Sequence, residues 1–261
     1  MKCKEIAALI EQLAPVALAY EWDNVGLLCG DAEQEVTKLL LTLDLDIDVA
    51  LEAAREGAQM VVGHHPILFD PVSRVTAQTP DGRLLRTLAQ HNISYYAAHT
   101  NLDVARGGLN DLLAKKFRLK NVEQLEPIDI AGEGIGRIGD LDSPVALRSL
   151  AERIKKALNI TDLRYAGDDG QLVSRIAVNS GGGTSLIETA LAQGADVLIT
   201  GDYKYAQFRH CLAHGMQVID VGHYDSEILV CELLNDYLTP RIGQEVELIA
   251  SRANTNVVKF L

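Results

Sequence analysis

Two distant stretches of the chain run through the same order: a helix closing on glycine, a short apolar strand, and a second glycine where the strand ends. In the first, Glu56-Gly57-Ala58-Gln59 leads into Met60-Val61-Val62 and Gly63; in the second, Gln193-Gly194-Ala195-Asp196 leads into Val197 to Thr200 and Gly201. Glycine ends helices in the left-handed conformation, and a short apolar run bounded by glycine reads as a buried strand. A further strand follows each copy. Ile93 to Ala98 runs into His99 and, four residues on, Asp103; the strand after His214 runs into His223 and, four residues on, Glu227. The matched order predicts an α/β protein of two pseudo-duplicated halves.

The chemistry-bearing residues fall at the ends of these strands. Met60-Val61-Val62-Gly63-His64-His65-Pro66-Ile67 is an apolar run ending in glycine and two adjacent imidazoles. Open α/β sheets bind ligands outside the carboxyl ends of their strands, which is where His64 and His65 lie. Successive residues of an extended chain point in opposite directions, so this pair is better suited to flank two ions than to hold one. Met alone, the pair reads more plainly as a turn cap and a satisfied polar residue. The rest of the chain moves the balance toward ligands.

If the halves face each other, their strand-end loops converge, and the double histidine meets Asp103 of its own half and His223 and Glu227 of the other. His223 and Glu227 are four apart at the start of a run that reads as a helix to Leu234, which sets both on one helical face. Three imidazoles and two carboxylates suit zinc, iron, manganese or nickel better than calcium, and a set without thiolates is not a structural zinc finger. Five ligands are too many for one ion with an open position. They suit two divalent ions per chain, about 3.5–4 Å apart, able to lower the pKa of a shared water toward neutrality.

His99 is the counterpart of His223 and is open to three roles: a ligand, a donor behind a ligand, or the group that moves protons. The last two are favoured over a buried turn histidine. Lys204, beyond Gly201-Asp202, is an expected substrate contact, as are Thr100 and Asn101 beside His99; Arg74 is a further cation, and a surface role is the plainer one for Lys204. Gly181-Gly182-Gly183 can cradle an anion, but it lacks the P-loop lysine and the dinucleotide-fingerprint spacing, and a tight turn explains it equally. Glu21-Trp22-Asp23-Asn24-Val25-Gly26 carries the only Trp, either plugging a core edge or lining a cleft. His91, His210 and His214 are expected to be structural.

A net charge of -12, from 24 basic and 36 acidic residues, argues against binding a nucleic acid duplex, while a small anionic or nucleotide substrate fits where a cation waits inside. Cys3, Cys29, Cys211 and Cys231 form no Cys-x-x-Cys pair and read as free thiols of a reducing compartment. With no leader pattern and no apolar run of roughly 18 residues, the expected address is the cytoplasm, away from membranes. The halves are expected at 1–120 and 143–261, with the poorly patterned 121–142 as a joint. Ser143-Pro144 reads as a helix opening, and Leu163 to Ala166 and Val173 to Val178 as two strands separated by Asp168-Asp169-Gly170.

Taken together, Glu-Trp-Asp-Asn-Val-Gly-Leu, Gly-His-His-Pro-Ile, Ala-His-Thr-Asn-Leu-Asp, Thr-Gly-Asp and Gly-His-Tyr-Asp-Ser-Glu resemble the successive motifs of the Nif-three-like dinuclear metal-centre family, which includes GTP cyclohydrolase I type 2 homologues. The resemblance runs from about Ile6 to Leu234. It implies two interlocked α/β halves with a two-metal site between them and a toroidal homohexamer. Carried over by position, the family's ligands fall on His64, His65, Asp103, His223 and Glu227. Some members hold an extra domain between the halves, and 121–142 leaves no room for one. The implied reaction is metal-dependent hydrolysis of the GTP cyclohydrolase kind, opening a purine ring with release of formate, with His99 moving protons. Two alternatives stand beside it: a two-metal phosphoesterase or nucleotide hydrolase, and a metal-binding oligomeric scaffold without catalysis.

Overall fold

The computed structural model describes residues 1–130 and 132–259; Ala131, inside the expected joint, and the last two residues lie outside the described chain. In chain order the elements begin with α1 (Cys3–Leu13), β1 (Gly26–Cys29), β2 (Lys38–Leu41), α2 (Ile47–Glu56), β3 (Met60–Gly63), α3 (Pro80–Gln90), β4 (Ser94–Ala97) and α4 (Thr100–Val104). There follow α5 (Leu109–Lys116), β5 (Lys120–Pro127), β6 (Gly134–Ala146), α6 (Leu147–Leu158), β7 (Arg164–Ala166), β8 (Leu172–Val178), α7 (Ile187–Ala192), β9 (Val197–Thr200), α8 (Tyr205–Ala213), β10 (Gln217–Asp220) and α9 (His223–Glu227). The last are α10 (Val230–Ile242) and β11 (Glu247–Ala250). These fall into two units. Unit 1 is Met1–Leu102 with Val230–Val257, and unit 2 is Asp103–Leu229 with the residues from Val258.

Unit 1 is built on a sheet of order β1-β4-β3-β2-β11. β2, β3, β4 and β11 run parallel, and β1 closes the far edge antiparallel to β4. Parallel strands covered on both faces need continuous apolar sequence, and Met60-Val61-Val62-Gly63 is buried throughout. The crossover α2 starts where the Asp46 side chain accepts from the Val49 N–H at 2.9 Å and stops at Gly57, whose φ of 71° gives the left-handed cap. Leu40, Val49, Ala53, Val61, Leu88 and Tyr95 meet in its core.

Unit 2 has a sheet of order β5-β6-β8-β9-β10-β7. β8, β9 and β10 are parallel, β7 is antiparallel on β10, and β6 is antiparallel on β8. The path β2-α2-β3-α3-β4 in unit 1 therefore recurs as β8-α7-β9-α8-β10 in unit 2, each with an antiparallel strand beside its third member. The duplication expected from the glycine-bounded strands is present in the fold. Leu113, Leu147, Ile154, Ile176, Val197 and Ile219 form the core of unit 2.

Two local expectations change. The stretch 121–142, expected as a joint, supplies most of the antiparallel pair β5–β6, in which Glu123 faces Ile138 and Glu126 faces Ile135. Ser143-Pro144 does not open a helix: pairing of β6 with β8 resumes at Val145 and Ala146, so α6 begins at Leu147. The two strands expected on either side of Asp168-Asp169-Gly170 are present as β7 and β8, but not as neighbours: both edges of β8 are taken by β6 and β9, and β7 pairs with β10. No helix is long and apolar enough to cross a membrane among the described residues.

Candidate metal centre

Each unit carries its own set of candidate ligands at strand ends. In unit 1, Gly63 ends β3 beneath Tyr95, where an added Cβ would lie 2.2 Å from the phenol oxygen. The fully buried Tyr95 hydroxyl donates to the His65 carbonyl at 2.6 Å, and the backbone N–H groups of His64 and His65 both donate to the Leu43 carbonyl at 3.1 Å. The chain has left the extended conformation at this point. The two imidazoles therefore do not diverge as strand geometry suggested: their ring centres are 5.2 Å apart, and His99 stands 5.1 Å from His64 and 5.5 Å from His65. One ligand atom from each of the three lies within 4.8 Å of the others.

The rings are oriented in a common way. His64 Nδ1–H donates to the Ala98 carbonyl at 2.7 Å, His65 Nδ1–H to Asp44 Oδ1 at 2.7 Å, and His99 Nδ1–H to Asp23 Oδ1 at 2.9 Å. An imidazole anchored through Nδ1 carries its lone pair on Nε2, the arrangement found behind metal-ligating histidines. β1 brings Asp23 here, since Gly26 pairs with Ala97 and the loop before β1 is thereby set beside Ala98 and His99. Burial pushes the Asp23 carboxyl up, but hydrogen bonds from His99 and Thr100 outweigh it and hold the group down at about 2.

That depression makes a pH-dependent contribution. A carboxylate below its unfolded pKa of about 3.9 stabilises the fold fully above that value and loses its contribution as pH falls through the folded pKa. Asp23→Asn is expected to cost about 2 kcal/mol at neutral pH, the gap to wild type narrowing between pH 4 and pH 2. Urea midpoints across that range measure it; a pH-independent gap contradicts the assignment.

In unit 2, β10 ends at Asp220 and Gly222 precedes the short helix α9, which places His223 and Glu227 on one face with Nε2 and Oε2 3.0 Å apart. A break separates α9 from α10, so the single helix expected to Leu234 is two. His223 Nδ1–H donates to Asp202 Oδ2 at 2.6 Å, repeating the orientation seen in unit 1. Asp202 holds a φ of 62°, strained for a residue with a side chain. The hydrogen bond to Glu227 raises the His223 pKa, burial opposes it, and with Asp202 the group is pushed up to about 9. An imidazole nitrogen and a carboxylate oxygen this close are a donor pair that a divalent cation takes in competition with a proton. Asp103, 7% exposed, accepts from Ser180 Oγ at 2.9 Å, and Asn110 Nδ2 donates to its carbonyl at 3.0 Å.

Gly181 makes room for Glu227. Its φ is 57°, and an added Cβ would lie 2.0 Å from Glu227 Oε1. Gly181→Ala is expected to destabilise by roughly 1–2 kcal/mol through the left-handed backbone alone and to displace the Glu227 carboxylate. Thermal unfolding joined to a metal titration checks both. The glycine run therefore seats a carboxylate, which accounts for it without an anion cradle.

The remaining expected residues are placed differently. Asn101 is fully buried, its amide donating to the Ala14 carbonyl at 2.8 Å, and Thr100 is 6% exposed with its hydroxyl donating to Asp23. Both side chains tie the loop to its neighbours. Lys204 is exposed ahead of α8, and Arg74 is exposed between β3 and α3. His210 bonds Glu188 at 2.7 Å and His214 the His210 carbonyl at 2.9 Å, consistent with structural roles. Trp22 is 63% exposed, so it does not plug a core. The four cysteines are free thiols.

The sequence pointed to the imidazoles but not to their orienting carboxylates Asp23, Asp44 and Asp202. The available signal was positional: Asp44 follows β2 and Asp202 follows β9, both in strand-end loops like the histidines they hold.

The donor sets fit divalent transition-metal ions, since imidazoles anchored at Nδ1 and buried carboxylates are the ligands such ions take. A GTP cyclohydrolase 1 type 2 homolog of Clostridium perfringens is 36% identical over 263 residues, covering 100% of both chains. The crystal structure of Staphylococcus aureus hypothetical protein SA1388 superposes with a TM-score of 0.92 at 31% identity, covering 100% of this chain and 99% of that one. Reduced HcgD from Methanocaldococcus jannaschii gives 0.82 at 33% identity, over 96% and 97%. The profile of the Duf34/NIF3 (NGG1p interacting factor 3) family matches residues 1–257, and with these relatives it shows that the chain belongs to the Duf34/NIF3 family.

Proposed function

We propose that the protein is a dinuclear metal-dependent hydrolase of the GTP cyclohydrolase 1 type 2 kind. The observation that supports this best is the shared orientation of four imidazoles, each with Nδ1–H on a carboxylate or carbonyl. His64, His65, Asp103, His223 and Glu227 would hold the ions. Two divalent ions supply Lewis acidity and bring the pKa of water toward neutrality. Asp44 and Asp202 fix the tautomers of His65 and His223, and Ser180 fixes one oxygen of Asp103. His99, backed by the ionised Asp23, accepts a proton at Nε2 and returns it to the departing group. Exposed Lys204 meets the charge of an anionic substrate as it approaches. The family resemblance also supports a homohexamer, for which a sedimentation run giving only monomer would be decisive against.

The test is incubation of protein loaded with zinc, iron, manganese or nickel with GTP, following formate release. Formate that depends on added metal and is lost in His99→Ala supports the reading. Inorganic phosphate without formate moves the assignment to a phosphoesterase, and neither product with full metal occupancy moves it to a binding role.

A further inference from the structure

Beside the imidazole cluster of unit 1, three aromatic rings gather in a way that neither the core nor the metal chemistry requires. Trp22 stacks on Tyr20 with centroids 5.7 Å apart at 25° and on Phe69 at 6.4 Å and 28°. Trp22 is 63% and Phe69 52% exposed, although both are among the largest apolar side chains of the protein. Each lies in a T-shaped arrangement with His99, at 6.1 Å and 75° for Trp22 and 5.9 Å and 77° for Phe69. The two planes are thus nearly parallel to each other and nearly perpendicular to His99. Phe69 also lines a cavity of about 300 Å³ with Asn24, Asp70, Val72 and Leu85, of a size for a small planar ligand.

The loop that carries Trp22 is rigidly tied where it counts. Asp23 is hydrogen bonded to His99 and Thr100, and the Asn24 amide donates to the Leu68 carbonyl, next to Phe69. The platform and His99 are consequently positioned by adjacent residues. Exposed aromatic faces recruit flat π-systems, which recover the buried area and stack with an offset. A ring stacked parallel to Trp22 and Phe69 is thereby held beside His99 at a steep angle to the imidazole. At the cavity, Asp70 offers a carboxylate with two acceptor oxygens, the complement of a ring N–H and an adjacent exocyclic amino group.

We propose that Trp22 and Phe69 form the stacking subsite for the planar heteroaromatic ring of the substrate, with Asp70 selecting a donor edge of the guanine type. This rests on the hydrolase reading for its meaning, since it is the reading that makes His99 part of a reacting site, but the stacking itself needs no metal. Trp22 is the only Trp of the chain, so its fluorescence reports this subsite alone.

The experiment titrates the full-length protein with guanosine, with ribose 5-phosphate as the probe lacking a base, both with metal and after chelation. Saturable quenching by guanosine but not by ribose 5-phosphate is expected, with affinity within about threefold after chelation. By calorimetry, Trp22→Ala and Phe69→Ala are expected to weaken guanosine binding about tenfold, in keeping with the stacking contribution of one aromatic side chain, while Trp22→Phe recovers most of the loss. Asp70→Asn is expected to erase the preference for guanosine over adenosine. No quenching at normal metal content overturns the subsite and leaves the metal reading standing. Quenching in a protein that takes up no metal supports the subsite and defeats the metal reading. If guanosine does not bind and Trp22→Ala instead lowers the sedimenting mass, the aromatic patch is a contact between copies of the chain and the proposal is wrong.

Discussion

Replacing Asp111 by alanine is expected to destabilise the protein by roughly 3–5 kcal/mol, the cost of stranding a buried charge. The stranded group is Arg137, only 1% exposed, whose Nε and Nη2 donate to Asp111 at 2.6 and 3.1 Å. The remaining donors are used on backbone: Nη1 reaches the Gly134 and Gly136 carbonyls at 2.7 Å, and Nη2 the Ala105 carbonyl at 3.0 Å. Arg137 therefore clamps the chain just beyond Asp103, and its loss loosens a candidate ligand as well as the fold. Replacing both partners by apolar residues, Arg137→Met with Asp111→Leu, is expected to cost less than Asp111→Ala alone, because no charge is then left buried. Urea unfolding of the single and double variants decides it. A single variant within 1 kcal/mol of wild type would show that water reaches the guanidinium.

The second large effect concerns metal. His65→Ala and Glu227→Ala are expected to leave the circular dichroism spectrum intact and to strip metal after dialysis. Removing an orienting carboxylate instead, in Asp44→Ala or Asp202→Ala, is expected to weaken metal binding about 10–100-fold. Competition with a chromophoric chelator separates the two classes. The graded result matters, since a ligand and the group that orients it differ in degree. Undiminished metal in both ligand variants, measured by elemental analysis, would sink the assignment of His65 and Glu227.

How much of this could be read from the sequence depends on the range of the interaction. The parallel strands and their helices were legible because burial on both faces demands runs such as Met60-Val61-Val62 and because Gly57 and Gly194 mark helix ends locally. The imidazoles stood out only in company: the double histidine at a strand end gained its meaning from Asp103 and from the His223-x-x-x-Glu227 spacing of the second half. What stayed hidden was non-local. Nothing around Asp23 announces that β1 will pair with β4 and set it against His99, 76 positions on. The divergence expected of His64 and His65 was wrong because strand geometry stops at Gly63, and the Leu43 carbonyl that bends the chain lies on another segment. Arg137 gave no sign of burial, since an arginine in an apolar strand is explained only by the carbonyls waiting around it.

β11 has a consequence for the order of events during synthesis. It pairs in parallel with β2, and just beyond it Glu52 of α2 accepts from the backbone of Arg252 at 2.9 Å, while Asn254 reaches Asp44, which orients His65. Unit 1 is thus written in two segments with Asp103–Leu229 between them. A chain leaving the ribosome has every residue of that continuous span before β11 emerges, and domains tend to fold as units as they become available. The double histidine thus belongs to a unit whose sheet is completed only when residues beyond Leu229 have been made.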